Sequence, residues 1–134
     1  MSANLDYVLD TSAILAVILG EPEGRSVMSI LEQARTSNLA IGIPFLALME
    51  SEYALLRRFQ TEEVIAALLV IQGWPADLTE SNEKWRHEAA RIKAGGGLSL
   101  ADAWIAALAL LSDAELVHKD PEFERVEGLR SVTL

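Results

Sequence analysis

Tyr7-Val-Leu-Asp-Thr-Ser-Ala-Ile-Leu-Ala-Val-Ile-Leu-Gly20 decides the reading of the fold. Tyr7 to Leu9 is a short apolar run, the composition of a strand buried on both faces. Asp10 ends the run. Thr11 to Leu19 then reads as a short helix, stopped near Gly20. A buried strand that passes through an aspartate into a helix is the first half of a strand–helix–strand crossover.

The alternation continues outward from this segment. Val27, Ile30, Leu31 and Ala34 fall at helical spacing within Arg25 to Ser37. Leu39 to Ile43 is a second strand, and Pro44 suits the first turn of a helix reaching to about Phe59. Thr61 is placed to cap a helix over Glu62 to Gln72. Ala76 to Leu78 is a short strand. Thr79 is placed to cap a polar helix over Glu80 to Ala94, which Gly95-Gly-Gly97 ends. Ser99 opens an apolar helix to Leu111. Glu115 to His118 and Ser131 to Leu134 close the chain as strands. Strands alternating with helices imply crossovers, a mostly parallel sheet and helices on both faces. Ligand sites of such folds lie beyond the carboxyl ends of strands, where the strand order switches. Two strands lead there into an acid, Asp10 and Asp120.

Composition bounds the chemistry. The 134 residues carry 20 acids against 11 bases, a net charge of −9, so bulk charge does not suit coating of nucleic acid. That balance still permits a nucleic-acid enzyme that gathers cations at a local acidic site. There is no cysteine, which excludes disulfides, thiolate zinc sites and a cysteine nucleophile. His87 and His118 are the only histidines, too few for a multi-histidine metal cage. The longest strictly apolar run, Ala103 to Leu111, is far short of a membrane span. The N-terminus, MSANLDYVLD, has no basic leader, so the expectation is a soluble cytoplasmic protein. Repeats, low-complexity tracts and linkers are absent, and one domain over residues 1–134 is expected.

Four carboxylates stand out, each with an ordinary structural role beside a chemical one. Asp10 is a good helix N-cap. Asp102 completes Ser99-x-x-Asp102, a capping box, at the mouth of an apolar helix. Asp120 before Pro121 is a cap followed by a favoured first residue, with Glu122 and Glu124 at the positive helix end. Glu50 interrupts the apolar stretch Ile43 to Met49 and has no cap role; spacing alone does not choose between it and Glu52. If these acids converge, their repulsion needs a cation, because two like charges ~4 Å apart repel by about 4 kcal/mol at an effective dielectric near 20. An all-oxygen donor set selects Mg²⁺ or Mn²⁺ over zinc.

These segments resemble the PIN-domain nucleases, and within them the VapC-type toxins of toxin–antitoxin pairs. The carriers are Val8-Leu-Asp-Thr-Ser-Ala-Ile-Leu15, Leu46-Ala-Leu-Met-Glu-Ser-Glu-Tyr53 with Arg57, Leu98-Ser-Leu-Ala-Asp-Ala-Trp-Ile-Ala-Ala107, and Leu116-Val-His-Lys-Asp-Pro-Glu-Phe-Glu-Arg-Val-Glu-Gly-Leu129. The family places an aromatic three residues after its glutamate, and that offset picks Glu50. The resemblance implies a three-layer α/β/α sandwich with a sheet of about four or five strands. It implies that Asp10, Glu50, Asp102 and Asp120 are catalytic and bind one or two Mg²⁺ or Mn²⁺ ions. Glu122 is the alternative to Asp120 as the fourth metal-facing acid. It further implies RNA endonuclease activity, an antitoxin protein that blocks the pocket, and a homodimer. Thr11 and Ser12 are candidates to hydrogen-bond the carboxylates or a substrate phosphate, and equally ordinary first-turn residues.

Other residues divide between plain and functional roles. Lys84, Arg86, His87, Arg91 and Lys93 form a basic helix, but interleaved Glu80, Glu83 and Glu88 favour an ordinary solvated face over an RNA contact. Lys119 is read either as a phosphate contact or as a solvated charge. Trp85 is read as packing, or as an interface or base-stacking residue. His87 and His118 are expected at the surface or at a strand edge. The apolar residues Leu55, Leu56, Val64, Leu68 and Leu69 exceed one core's needs and suggest a dimer or antitoxin surface. A phosphotransfer domain with Asp10 as nucleophile lacks the second aspartate at Ser12, and a receiver-like domain lacks paired acids after the first strand. A silent binding module on the same fold would lack one of the acids, and none is missing.

Overall fold

Tyr7–Leu9 forms β1, the central strand of the sheet in the computed structural model, which describes residues 4–134. Met1 to Ala3, part of the stretch read for a leader, lie outside the described residues. The elements follow in the order β1, α1 (Thr11–Ile18), α2 (Gly24–Thr36), β2 (Ile41–Pro44), α3 (Phe45–Leu56), α4 (Thr61–Gln72), β3 (Asp77–Thr79), α5 (Glu83–Ala94), α6 (Leu100–Ser112), β4 (Glu115–His118), a 3-10 turn (Pro121–Arg125) and β5 (Arg130–Thr133). The five strands lie in the order β3-β2-β1-β4-β5, every pair parallel. Tyr7 is in register with Ile41 on one side and Glu115 on the other. The connections through α1–α4 step one way across the sheet, and the connection through α5 and α6 steps back. Right-handed crossovers therefore put the two helix sets on opposite faces, giving the expected α/β/α layering.

The reversal of direction beside β1 has a consequence for function. Chains leaving the carboxyl ends of β1 and β4 diverge to opposite sides, and a crevice opens between them. Val8, Leu9, Leu116 and Val117 are fully buried and fix that edge of the sheet. Helix α6 lies against it, buried along almost its whole length at Ala103, Ile105, Ala106, Ala107, Leu108 and Ala109. Its alanines let the backbone come close to the sheet, which positions the first turn of α6 firmly.

Several local expectations are corrected. Thr79 does not cap α5; it is the last residue of β3, and the Asn82 side chain accepts from the Trp85 N–H at 2.9 Å. Thr61 is the first residue of α4, whose start is fixed by Glu63 accepting the Gln60 N–H at 3.0 Å. Pro44 ends β2 and precedes α3, pairing in register with Thr79. Trp85 is neither an interface nor a stacking platform. It is 1 % exposed, its indole N–H donates to the Trp104 carbonyl at 2.7 Å, and it forms edge contacts with Phe45 and Trp104. That trio ties α5, α6 and α3 together. His118 is also not at the surface: β4 lies between β1 and β5, so its last residue is fully buried.

Candidate active site

Asp10 follows β1 and is the N-cap of α1, 4 % exposed. One of its oxygens, Oδ2, accepts from the Ser12 N–H at 3.1 Å and from the Ser12 hydroxyl at 2.5 Å. Its own N–H donates to the Val117 carbonyl at 3.1 Å, so the ends of β1 and β4 are joined at this residue. The Ser12 hydroxyl oxygen also accepts from the Lys119 N–H at 3.0 Å. One serine thus holds the Asp10 carboxylate and the chain leaving β4. Burial pushes the Asp10 carboxyl above its ordinary pKa, against the lowering effect of the Ser12 and Thr11 hydrogen bonds.

Glu50 enters from α3, half-buried, and its Oε1 accepts from the Thr11 hydroxyl at 2.7 Å. Glu52, two residues on, is exposed. Asp102 sits in the first turn of α6, where its N–H is capped by the Ser99 hydroxyl at 3.1 Å. Asp120 follows β4 as the N-cap of the 3-10 turn, accepting from the Glu122 N–H at 2.9 Å. One carboxylate oxygen from each of Asp102, Asp120 and Glu122 lies within 4.8 Å of the others. Asp120 and Glu122, weighed above as alternatives, are therefore neighbours in one cluster.

The electrostatics connect this trio to the other two acids. Asp102 is raised from 3.8 to about 7, first by burial and then by the negative charges of Asp10, Asp120 and Glu50. Four elements, the ends of β1 and β4 and the helices α3 and α6, thus bring Asp10, Glu50, Asp102 and Asp120 into one field. Burial and these like charges both favour the protonated form of Asp102, so the arrangement is costly without a counter-charge. A divalent cation would supply one. The donors are all carboxylate oxygens, the set that suits Mg²⁺ or Mn²⁺.

Other charged residues are placed differently from some expectations. The Lys119 ammonium turns away to the α1–α2 turn, 2.9 Å from Glu21 and 3.8 Å from Glu23, rather than standing free for a phosphate. On α5, Arg91 pairs with Glu88, His87 lies 3.6 Å from Glu83, and Lys93 donates to the Leu98 carbonyl at 2.9 Å, in keeping with an ordinary solvated face. A cavity of about 460 Å³ beside the α1–α2 turn, lined by Ala16, Glu21, Arg25 and Met28 among others, shares no residue with the acid cluster. Sequence reasoning missed His118. Its Nδ1 accepts from the Asp120 N–H at 3.0 Å, its ring packs 4.9 Å from that of Phe123, and burial lowers its pKa. The available signal was its place at the end of an inner strand, which a parallel sheet buries.

Comparison with known proteins agrees with this architecture. Among solved structures, VapBC2 from Rickettsia felis, bound to a DNA fragment from its promoter, superposes with a TM-score of 0.79 at 19 % identity, over 96 % of this chain and 98 % of that one. VapBC-5 from Mycobacterium tuberculosis, a member of the VapBC family of toxin–antitoxin systems, gives 0.66 at 18 %, over 98 % and 100 %. VapC20 from Mycobacterium tuberculosis, described as a sarcin-ricin loop cleaving toxin, gives 0.69 at 14 %, over 89 % and 93 %. At these identities the likeness is one of fold. No curated protein matches the sequence. A family model described as the PIN domain matches residues 7–129. The chain therefore belongs to the PIN domain family.

Proposed function

We propose that this chain is a Mg²⁺- or Mn²⁺-dependent endoribonuclease, one PIN domain over residues 1–134, acting as the toxin of a type II toxin–antitoxin pair. The observation that supports the reading is the cluster at the sheet's switch point, where one carboxylate oxygen from each of Asp102, Asp120 and Glu122 lies within 4.8 Å of the others and the charges of Asp10 and Glu50 reach Asp102. Asp10, Glu50, Asp102 and Asp120, with Glu122 beside them, are the residues that would hold the ion. When bound, a divalent ion lowers the pKa of a water and offsets charge on a scissile phosphate and its leaving oxygen.

The chain's own part is positional. Ser12 clamps one oxygen of Asp10, and Thr11 clamps Glu50, so both carboxylates are fixed before ligand arrives. Preorganised charge of this kind needs no rearrangement during the reaction. Asp102, ionised above about pH 7, completes the donor set. With no cysteine in the chain and Asp10 buried and twice bonded to Ser12, nothing favours a covalent intermediate on a side chain. Hydrolysis by a directly attacking water is the reaction the arrangement suits.

The partners follow from the same reading. RNA would approach the acids as a polyanion carrying its own cations. Similarity in fold to VapBC2 and to VapBC-5, a member of the VapBC family of toxin–antitoxin systems, supports an antitoxin partner. Exposed apolar side chains on α3 and α4 support a homodimer. Among the described residues no helix is long and apolar enough to cross a membrane, in keeping with a cytoplasmic site of action.

The test is cleavage of total cellular RNA by the purified protein with Mg²⁺ or Mn²⁺, against EDTA, with Asp10→Asn as the control. Asp10→Asn keeps the cap geometry and removes the charge. Metal-dependent cutting that the variant lacks is expected. Cutting that survives EDTA or the substitution would contradict the proposal.

A further inference from the structure

We propose that His118 is the positioning residue that aims Asp120 into the acid cluster, through the single hydrogen bond its imidazole accepts. The inference rests on the metal-site reading above and deepens it.

Three observations meet at this residue. His118 is completely buried, yet among the described residues the one polar contact its ring makes is the 3.0 Å bond from the Asp120 N–H to Nδ1. Accepting at Nδ1 puts the ring's proton on Nε2, which is buried and has no partner among the described residues. A buried N–H without a partner is destabilising, so an apolar residue would serve the core better. The ring is also locked in place. It packs on Phe123 at 4.9 Å, and the His118 carbonyl accepts from the Leu134 N–H at 2.8 Å.

The bond acts where the chain must turn. Asp120 leaves β4 with φ −102° and ψ 113° and starts the 3-10 turn that presents Glu122. On one side of Asp120 the Lys119 N–H is fixed by Ser12, the same hydroxyl that holds Asp10. On the other side the Glu122 N–H is fixed by the Asp120 carboxylate itself. His118 fixes the N–H between them. With three successive anchors the Asp120 carboxylate has one direction, toward Asp102. Groups that orient metal ligands in this way are worth about 10–100-fold in affinity.

A packing role and a positioning role predict opposite orders for two substitutions. His118→Leu fills the core and removes the acceptor. His118→Asn leaves space unfilled and keeps a polar atom near the place of Nδ1. The experiment measures three things on the full-length protein: the melting temperature, hydrogen exchange at the Asp120 amide without metal, and Mn²⁺ affinity by calorimetry. The expected result is that His118→Leu is the more stable variant, loses protection at the Asp120 amide and binds Mn²⁺ about tenfold or more weakly. His118→Asn melts lower but keeps the amide protected and stays within about threefold of wild type, well inside that loss. Wild-type Mn²⁺ affinity in His118→Leu, or an equal loss in both variants, would overturn the positioning role. If the unsubstituted protein binds no Mn²⁺, the metal-site reading fails and this role fails with it, an outcome the wild-type titration separates from the other two.

Discussion

At the residue scale, each aspartate of the cluster also does an ordinary structural job. Asp10 caps α1, Asp120 caps the 3-10 turn, and Asp102 stands in the capped first turn of α6. Caps of this kind stabilise by about 1 kcal/mol and occur throughout proteins, so none of the three identifies a site alone. Glu50 is different. It caps nothing, and its one hydrogen bond in the structure reaches across to Thr11. Glu50→Gln is therefore expected to abolish RNA cleavage with little change in melting temperature. Glu52→Gln, at an exposed position on the same helix, is expected to leave cleavage unchanged. Measured rates in the reverse order would move the function to Glu52.

At the element scale, α3 and α4 carry more apolar surface than the fold covers. Met49, Tyr53 and Leu56 follow one another at helical spacing on α3, and Ile65 and Leu69 do so on α4, all between 46 and 62 % exposed. The sequence-based expectation named Leu55 and Val64 with this surface, but both are buried, so the stripe is made by their neighbours. Such a patch marks an association surface. Gel filtration at micromolar concentration is expected to show a dimer that Leu69→Glu converts to monomer; a strict monomer would count against it. The elements themselves were largely legible, because each strand is a short apolar run and each helix has a periodic face. The exceptions have local causes. Thr79 and Thr61 were good caps by type, but strand pairing claimed Thr79, and the Gln60–Glu63 bond set the start of α4 one residue earlier than Thr61 allows. Trp85 looked out of place on a polar helix because helical spacing does not reveal that Phe45 and Trp104 wait beneath it.

At the scale of the whole molecule, the strand order places the chemistry. β1 and β4 are adjacent, and their connections leave in opposite directions, so Asp10 and Asp120 follow the carboxyl ends of neighbouring strands. The sequence could offer the two acids but not their adjacency, since pairing β1 with β4 spans most of the chain. The cluster makes stability depend on pH. Asp102 titrates at 3.8 ordinarily and at about 7 when folded, so between those values the folded state holds a proton that the unfolded state has released. Its contribution is fully present below pH 3.8 and is lost as pH rises through about 7. After allowance for solvent screening the loss is of order 2 kcal/mol. Thermal unfolding without metal is expected to show the melting temperature falling between about pH 4 and pH 7 and levelling above that, by roughly 4–8 °C. Asp102→Asn should flatten that fall, and a flat wild-type curve would mean that the carboxylates do not face one another.

Calorimetric titration with Mn²⁺, of the unsubstituted protein and of Asp102→Asn at pH 8 and pH 6, tests the convergence of these acids most directly. Binding at pH 8, weaker binding at pH 6 where Asp102 holds its proton, and loss of binding in a folded Asp102→Asn are the predicted results. Binding that ignores both the pH and the substitution, or no binding at all, would contradict a cation site built by Asp10, Glu50, Asp102 and Asp120.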